Sequence, residues 1–387
     1  MFCRNTTRLR SFCNYLRRKL RGMNHSRVSL FWDQPGAVDG FATAVCLHGH
    51  TMHSEECLSF LPRYLRGVPG ISQIVRAYQR GPRPAVDFAR AFWTPPLTPA
   101  CAVRLEQKQI ANLGLRPLVS LTDHDKIEAG LALENDPISV EWTVPYERSI
   151  LHLGIHNLPP DSAPSWMSAM AAHTSAPVES RLPGLLREMG RIPGVLIVLN
   201  HPFWLEEGVE KADHKLALGR VLRECHHLFH AFELNGTRRW SENRAVVDLA
   251  REWSRPVISG GDRHACEPAA CLNLTNAASF AEFAGEVRSG HSVVLFMPHY
   301  RESMPVRMLE AIWDILRPYP EYPGRERWTD RLFYRSEDGT ATPLSILWKH
   351  RMPWVVRPAA GMLQLPATNG VRLALRRLLS RQAEVLT

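Results

Sequence analysis

The sequence predicts an α/β fold, a distorted barrel of the (β/α)7 type with a C-terminal helical extension. Short apolar runs of strand length alternate with amphipathic helical segments, a pattern that indicates parallel βα units. About seven such runs are present, with one extra run at residues 150–155. Histidines and carboxylates follow directly after many of them, at the end where βα barrels build their active sites. A doubly wound open sheet is the alternative architecture.

Composition and charge divide the chain into three parts. The 387 residues are 45% hydrophobic and 22% charged, as expected of a globular protein with a sizeable core. Residues 1–27 contain seven Arg, one Lys and no acidic residue, and so carry +8 of the net charge of +9. The near-neutral remainder does not indicate a nucleic-acid surface. We predict a basic N-terminal segment (1–40), a main domain (41–300, with 57–100 as an insertion or lid) and a partly helical extension (301–387).

The basic segment leaves three interpretations open: an arm that touches RNA or anionic lipid, a disordered tail, or sequence upstream of a true start at Met23. It lacks the apolar region of a secretory signal. No apolar run approaches the length of a membrane span. The eight cysteines form no CxxC pair, which favours a reducing, cytoplasmic setting.

The apolar runs share one feature, a polar residue at or just beyond their C-terminal end. The predicted strands lie at 43–47, 118–122, 138–140, 150–155, 195–199, 231–235, 256–259 and 292–296, of which only the last lacks such a residue. Helices are predicted near 71–78, 103–113, 179–190, 241–253, 308–316 and 371–386.

The first of these strands ends in His48-Gly-His50. Two histidines two residues apart on an extended chain project to the same side, so both rings can reach one ion. A single pair of this kind is also typical of hydrogen-bonded polar surface. Recurrence of histidine and carboxylate at later strand ends favours a metal site, and a donor set without thiolate suits Zn²⁺, Mn²⁺ or Fe²⁺.

Taken together, the motifs resemble one family. They are His48-x-His50, Thr122-Asp-His124-Asp, Val140-Glu141, His152-Leu-Gly, Asn200-His201-Pro and Gly261-Asp262-x-His264. Over roughly residues 43–300 the sequence resembles the PHP (polymerase and histidinol phosphatase) family of metal-dependent phosphoesterases. The resemblance does not account for either end of the chain.

The resemblance implies two or three divalent ions held by nine residues. His48, His50, Glu141 and Asp262 would surround the first ion. Glu141 would bridge to a second ion held by His152 and His201. Glu55, His124 and His264 would hold the third, with Glu55 in place of the commoner Asp or His. Asp262, His201 and Glu141 are the implied catalytic residues.

Several neighbours of these ligands are candidates for supporting roles. Asp123 either orients a histidine or ends a strand. Arg263 either clamps a phosphate or points away from the two ligands that flank it. Asn235, Arg238 and Lys126 either bind substrate or are exposed loop residues. The His226-His227-x-x-His230 cluster precedes a strand, at the wrong end for the site, which favours a surface or packing role.

The predicted function is hydrolysis of a phosphate mono- or diester of a small metabolite, nucleotide or oligonucleotide by a metal-activated hydroxide. Clustered cations lower the pKa of a bound water toward about 7 and neutralise charge on a phosphoryl group. Two alternatives stay open: an amidohydrolase-type enzyme with the same metals, and a non-catalytic, metal-stabilised module associated with nucleic acid.

Overall fold

A computed structural model describes residues 26–59, 87–134 and 137–349, together with a few isolated positions between 73 and 76 and between 352 and 377. Within these ranges the strands belong to three sheets. The first sheet contains β1 (Ser26–Leu30), β2 (Thr43–Cys46), β5 (Arg116–Val119), β11 (Cys271–Thr275) and β12 (Ser292–Phe296). Across this sheet the strands follow the order β1-β12-β11-β2-β5.

The second sheet has the order β10-β9-β8-β7-β6. Its strands are β6 (Ile138–Tyr146), β7 (Ser149–Leu158), β8 (Leu196–Asn200), β9 (Ala231–Asn235) and β10 (Val257–Gly260). Strands β8, β9 and β10 are parallel, as predicted.

The expectation of parallel units throughout is wrong for two strands. Strand β7 runs antiparallel to β6 and β8, and β11 runs antiparallel to β12 and β2. Only Glu147 and Arg148 separate β6 from β7. A link of two residues forms a hairpin, whereas a parallel partner needs a crossover of a dozen residues or more.

The third sheet is small and joins two parts of the chain that the sequence analysis treated separately. Its order is β14-β13-β4-β3. Strands β3 (Glu56–Cys57) and β4 (Ala91–Trp93) belong to the predicted insertion, and β13 (Leu332–Arg335) and β14 (Ala341–Pro343) belong to the predicted extension. The main domain and the extension therefore share a sheet.

Helices cover the sheets. They are α1 (Pro99–Ala111), α2 (Glu128–Leu131), α3 (Ala163–Ser175), α4 (Leu182–Gly190), α5 (Lys211–Cys225), α6 (Trp240–Glu252), α7 (Phe280–Arg288), α8 (Met304–Leu316) and α9 (Leu344–Leu347). The predicted helices at 103–113, 179–190, 241–253 and 308–316 correspond to α1, α4, α6 and α8. Those at 71–78 and 371–386 fall largely outside the described residues, as does segment 1–25. Across the described part of the chain, no helix has both the length and the apolar character to cross a bilayer.

The core explains why the strand runs are apolar throughout. Every residue of β8 is buried, as in strands covered on both faces. Val45 and Leu47 of the first sheet pack in one cluster with Val198 and Ile258 of the second. Burying one such side chain contributes roughly 1.5–3 kcal/mol, so the two sheets stabilise each other through this shared layer.

The edges of the two large sheets approach each other. His124, beyond β5, forms an isolated parallel bridge with Glu141 of β6, and Gly49, beyond β2, forms one with Arg263, beyond β10. The Val257 amide of β10 also donates to Ser26 Oγ of β1 at 3.3 Å. No sheet among the described residues closes on itself in its hydrogen-bond pairing. This pairing neither confirms nor excludes the barrel, which stays a prediction, as does the domain division.

Candidate metal centre

The C-terminal ends of the strands bring the predicted ligands together. His48 and His50 follow β2, His124 follows β5, His201 follows β8, and Asp262 and His264 follow β10. Glu141 and His152 project from inside β6 and β7. These eight of the nine predicted ligands form one continuous cluster of imidazoles and carboxylates.

Glu141 lies at the centre of the cluster and is fully buried. Its Oε1 is 2.9 Å from His201 Nε2 and accepts a hydrogen bond from Asn200 Nδ2 at 3.0 Å. Its Oε2 is 2.9 Å from His48 Nε2 and 3.3 Å from His50 Nε2. His124 Nδ1 and His152 Nδ1 lie 3.4 and 3.7 Å from this carboxylate. One carboxylate therefore faces five rings.

The two oxygens of Asp262 have different surroundings. Oδ2 accepts hydrogen bonds from Asn235 Nδ2 at 3.1 Å, Thr237 Oγ1 at 2.8 Å and Arg238 Nη2 at 3.2 Å. Oδ1 instead faces nitrogens of His48, His50 and His264 at 3.6, 3.5 and 3.4 Å. Because three donors hold Oδ2, the carboxylate is fixed with Oδ1 directed at the rings.

Three histidines make a hydrogen bond through Nδ1. His48 Nδ1 is 2.5 Å from Glu233 Oε1, and His264 Nδ1 is 3.0 Å from the Asp262 carbonyl oxygen. His50 Nδ1 is 3.1 Å from Ser54 Oγ, whose own proton goes to Glu56 Oε1 at 2.7 Å. Each of these partners must accept, so each Nδ1 carries the proton. The Nε2 atoms are thereby directed at the carboxylates, the orientation found in metal-binding histidines.

The pKa values in the cluster follow from burial and from the charges that face each group. Burial lowers the pKa of His48, but the carboxylates of Glu141, Glu233 and Asp262 outweigh it and hold the value well above its usual range. For His264, Glu56 and Asp262 likewise overcome burial and raise the pKa to about 9. Burial raises the pKa of Glu141, yet the surrounding histidines hold it well below its usual range. Burial and neighbouring histidines instead lower the pKa of His50 to about 3 and hold that of His152 well below its usual range, so the cluster favours positive charge on some of its rings only.

These observations fit a bound cation. His50 Nε2 is fully buried and lies near two carboxylates, yet no hydrogen bond satisfies it. Four sets of donor atoms lie within 4.8 Å of one another. They are His48–His50–Glu141, His124–Glu141–His152, His48–His201–Glu233 and His50–Glu56–His124–His264. A divalent ion would satisfy both the orphaned nitrogen and the facing carboxylates.

Glu56, not Glu55, lies in the cluster, which corrects the sequence assignment. Glu56 Oε2 is 3.2 Å from His264 Nε2 and 3.6 Å from His124 Nε2. Glu55 instead pairs with Lys126 Nζ at 2.8 Å and with Arg335 Nη2 at 2.5 Å. Successive side chains of a strand point to opposite faces, so pairing of β3 with β4 lets only one of the two carboxylates face the histidines.

Glu233 is a site residue that the sequence analysis missed. Besides contacting His48, its carboxylate accepts the His201 amide at 2.8 Å. A Cβ at Gly260 would lie 1.5 Å from Glu233 Oε1, so only glycine leaves room for this carboxylate. The sequence feature that could have indicated this role is a glutamate in the middle of an apolar strand, because a buried charge needs a partner.

Arg263 does not reach the cluster, so the structure does not support the phosphate clamp. Its side chain is buried, and Nε donates to Glu106 Oε1 at 3.0 Å while Nη1 donates to the Ala265 carbonyl at 3.0 Å. It lies between two ligands, and alternation turns it to the opposite side. The arginine therefore braces the ligand loop against α1.

Of the two roles predicted for Asp123, the structure does not show the first, direct contact with a histidine ring. Its carboxylate accepts the Thr51 amide at 2.5 Å and the Thr51 hydroxyl at 2.7 Å. Its backbone carbonyl accepts the Glu141 amide at 3.2 Å. Asp123 thus fixes the backbone next to His50 rather than holding a histidine ring directly.

Two of the predicted substrate-binding residues lie beside the cluster. Asn235 and Arg238 both donate to Asp262 Oδ2. The Arg238 guanidinium lies 3.7 Å from the centre of the Trp204 ring, and its buried Nε has no hydrogen-bond partner. Lys126 is engaged by Glu55.

Three ligands occupy the left-handed region of backbone conformation. His48 has φ 60°, His201 has φ 24° and Asp262 has φ 47°. Non-glycine residues adopt such angles rarely and at a cost of roughly 1–3 kcal/mol each, and they concentrate at functional sites. At the ends of β2, β8 and β10 this conformation turns the chain sharply as each strand ends.

The His226-His227-x-x-His230 cluster lies at the opposite end of the strands. His226 Nδ1 donates to the Leu222 carbonyl at 2.9 Å. His230 Nδ1 accepts the Ile197 amide at 2.9 Å. These bonds give both rings local backbone roles, as the sequence analysis favoured.

Comparison with known proteins adds little. No family model and no curated protein matches the chain. Among solved structures, PsfC from Pseudomonas syringae PB-5123 is 15% identical with a TM-score of 0.37, covering 67% of this chain and 93% of its own. A candidate metal-dependent phosphoesterase from Bifidobacterium adolescentis is 17% identical with a TM-score of 0.27. That match covers 44% of this chain and 83% of the phosphoesterase chain. Similarity at this level carries no conclusion about this chain.

Proposed function

We propose that this chain is a metal-dependent phosphoesterase of the PHP type that hydrolyses a phosphate ester of a small metabolite, nucleotide or oligonucleotide. One observation carries the proposal. Imidazole nitrogens converge on Glu141 and Asp262, while buried acceptors occupy Nδ1 of three of the rings. A hydrogen-bonded polar surface does not require such an orientation, whereas a metal centre does.

The donors divide into three groups around the central carboxylate. His48, His50, Glu141 and Asp262 would hold a first ion, and Glu141, His152 and His201 a second. Glu56, His124 and His264 would hold a third. Nitrogen and carboxylate donors without thiolate suit Mn²⁺, Zn²⁺ or Fe²⁺. When bound, such ions supply a water of lowered pKa and neutralise charge on a phosphoryl group.

The protein's own contribution is to fix donors in advance. Asn235, Thr237 and Arg238 hold Asp262 so that Oδ1 stays directed at the rings. Glu233 holds the ring of His48 and the backbone of His201 together. Because these contacts are buried, little reorganisation is needed when substrate binds.

Arg238 favours an anionic substrate. Its guanidinium is held between Asp262 and the Trp204 ring, with one donor nitrogen unsatisfied. A planar guanidinium beside the cluster matches the oxygens of a phosphoryl group. Asn235 and Arg238 are therefore the substrate-side residues of the proposal.

The experiment that tests this function is phosphate release by the purified full chain. Aryl phosphate mono- and diesters and a nucleotide panel are supplied with Mn²⁺, and aryl amides are assayed in parallel. We expect metal-dependent phosphate release that is lost in the His48→Ala/Asp262→Ala double variant and kept in His227→Ala/Asp213→Ala, which changes residues away from the cluster. Amide cleavage without phosphate release, or turnover unaffected by His48→Ala/Asp262→Ala, would overturn the proposal.

A further inference from the structure

We propose that the C-terminal extension holds the third donor group in position, so that tight binding of a third divalent ion depends on Arg335 and Asp314. This inference rests on the proposed metal centre. It concerns residues distant in sequence from two of the three ligands: β13 and α8 lie at least 180 residues beyond His124, and further still beyond Glu56.

The third group differs from the other donors in burial. The side chains of Glu56, His124 and His264 are 13%, 20% and 27% exposed. Those of Glu141 and His50 are fully buried. The inner donors are held by the large sheets, whereas the outer three lie at the rim. Their positions therefore depend on what supports the rim.

Glu55 links two of the outer ligands to the extension. It precedes Glu56 in β3, and its carboxylate contacts both Lys126 Nζ, at 2.8 Å, and Arg335 Nη2 of β13, at 2.5 Å. Lys126 lies two residues after His124. One carboxylate thus connects the strand that carries Glu56, the loop that carries His124, and the extension.

Strand pairing makes the same connection through the backbone. Glu56 lies opposite Trp93 of β4, and Trp93 lies opposite Leu332 of β13. Across this pairing the Phe92 and Phe333 rings stack with centres 5.2 Å apart. Strand β3 has only two residues, so β4 and β13 are needed to define its position.

A second contact supports His264 independently. Asp314 of α8 accepts a hydrogen bond from the Cys266 amide at 2.9 Å, two residues after His264. Cys266 Sγ is also 3.0 Å from the Tyr319 hydroxyl. The segment leading away from His264 is therefore attached to the extension. Glu56 and His264 thus have neighbours that contact the extension directly, and His124 is connected to it through Lys126 and Glu55.

The Glu55 contacts affect the position of the outer ligands more than the stability of the fold. The side chains of Glu55, Lys126 and Arg335 are 32%, 34% and 43% exposed. Ion pairs with this exposure contribute about 0–1 kcal/mol to folding. Neutral variants of Glu55 and Arg335 should therefore fold, which makes their effect on metal binding measurable.

The test counts ions bound to the full chain, by equilibrium dialysis against Mn²⁺ followed by elemental analysis. We expect three Mn²⁺ per wild-type chain. In Glu55→Gln and Arg335→Gln, we expect the affinity for one ion to fall at least about tenfold, the usual effect of losing a residue that orients a ligand, with the other two unchanged. Arg335→Lys should restore part of the affinity, and Asp314→Ala should weaken the same ion through the second contact.

Arg220→Gln serves as the matched control. It removes an exposed arginine of α5 that pairs with Glu147, and the variant should still bind three ions. Two or fewer ions on the wild-type chain would overturn the inference. Unchanged binding of all three by Glu55→Gln and Arg335→Gln in folded protein would do the same. Failure of the proposed function is a separate result, since absent phosphate release leaves these ion counts unaffected.

Discussion

Two groups of histidines lie at opposite ends of the same strands, and their chemistry differs. At the C-terminal end the rings face carboxylates, and the pKa of His48 is held well above its usual range. At the other end His230 accepts a backbone amide, and burial together with Arg288 and Arg255 lowers its pKa to about 4. Both groups contain closely spaced histidines. Within the C-terminal group itself, burial and neighbouring histidines lower the pKa of His50 to about 3 and also that of His152, so burial and neighbouring charge together set the state of each ring.

The first prediction tests whether the carboxylate makes this difference. Glu141→Gln should abolish binding of at least one ion and lower phosphate release by about 10²–10³-fold, the scale of removing a principal electrostatic contact in an active site. The reason is that Glu141 faces five rings at once. Ion counting and steady-state kinetics measure the effect, with the exposed Glu252→Gln as control. If Glu141→Gln bound as many ions as the wild type, the carboxylate would not be what distinguishes the two groups of histidines.

The second prediction concerns the support beneath the metal centre. Gly260→Ala places a methyl group 1.5 Å from Glu233 Oε1 and must displace that carboxylate from His48. We expect a loss of about 3 kcal/mol in the free energy of unfolding, together with weaker metal binding. Urea unfolding and ion titration measure the two effects.

The control is Gly219→Ala in α5, where the new methyl meets only Arg223 Nη1 at 3.5 Å. Replacing an interior helical glycine by alanine should stabilise the protein by about 0.5–1 kcal/mol. Equal stability of Gly260→Ala and wild type would show that the Glu233 contact does not constrain this site.

The third prediction concerns the other group of histidines. The folded-state pKa of His230 is about 4, below the ordinary value of 6.5, so the unfolded chain binds more protons between these values. Its contribution to stability is full above about pH 6.5 and is lost as the pH falls toward 4. The whole effect is at most about 3 kcal/mol.

Urea unfolding at pH 7.5 and 5 measures this dependence. His230→Gln should make it shallower, with the remainder coming from other buried histidines of lowered pKa such as His156, whereas the exposed His227→Gln should leave most of it. A pH dependence in His230→Gln as steep as in the wild type would show that the Ile197 contact does not keep the ring neutral.

Much of the candidate site could be predicted from the sequence because its residues mark strand ends. Buried strands read as apolar runs, and the histidine or carboxylate after each run falls at a common edge. His48, His201 and Asp262 were found in this way. The same argument cannot choose between Glu55 and Glu56. Pairing of β3 with β4 and the attraction of Arg335, 280 residues away, place Glu55 outside the cluster.

Other features depend on partners that are distant in the chain. Glu233 lies inside a strand, and its role follows only from contact with His48 across the two sheets. Arg263 is flanked by two ligands, yet its partner Glu106 lies 157 residues earlier on α1. The antiparallel direction of β7 follows from a hairpin of two residues, which the alternation of strands and helices concealed.

The left-handed backbone at His48, His201 and Asp262 has a consequence for evolution and engineering. Glycine or asparagine would adopt these angles with less strain, so selection for durability alone would discard all three side chains. Variants chosen only for thermal resistance should therefore drift toward inert proteins. The trade-off between thermal stability and activity is therefore concentrated at these three residues.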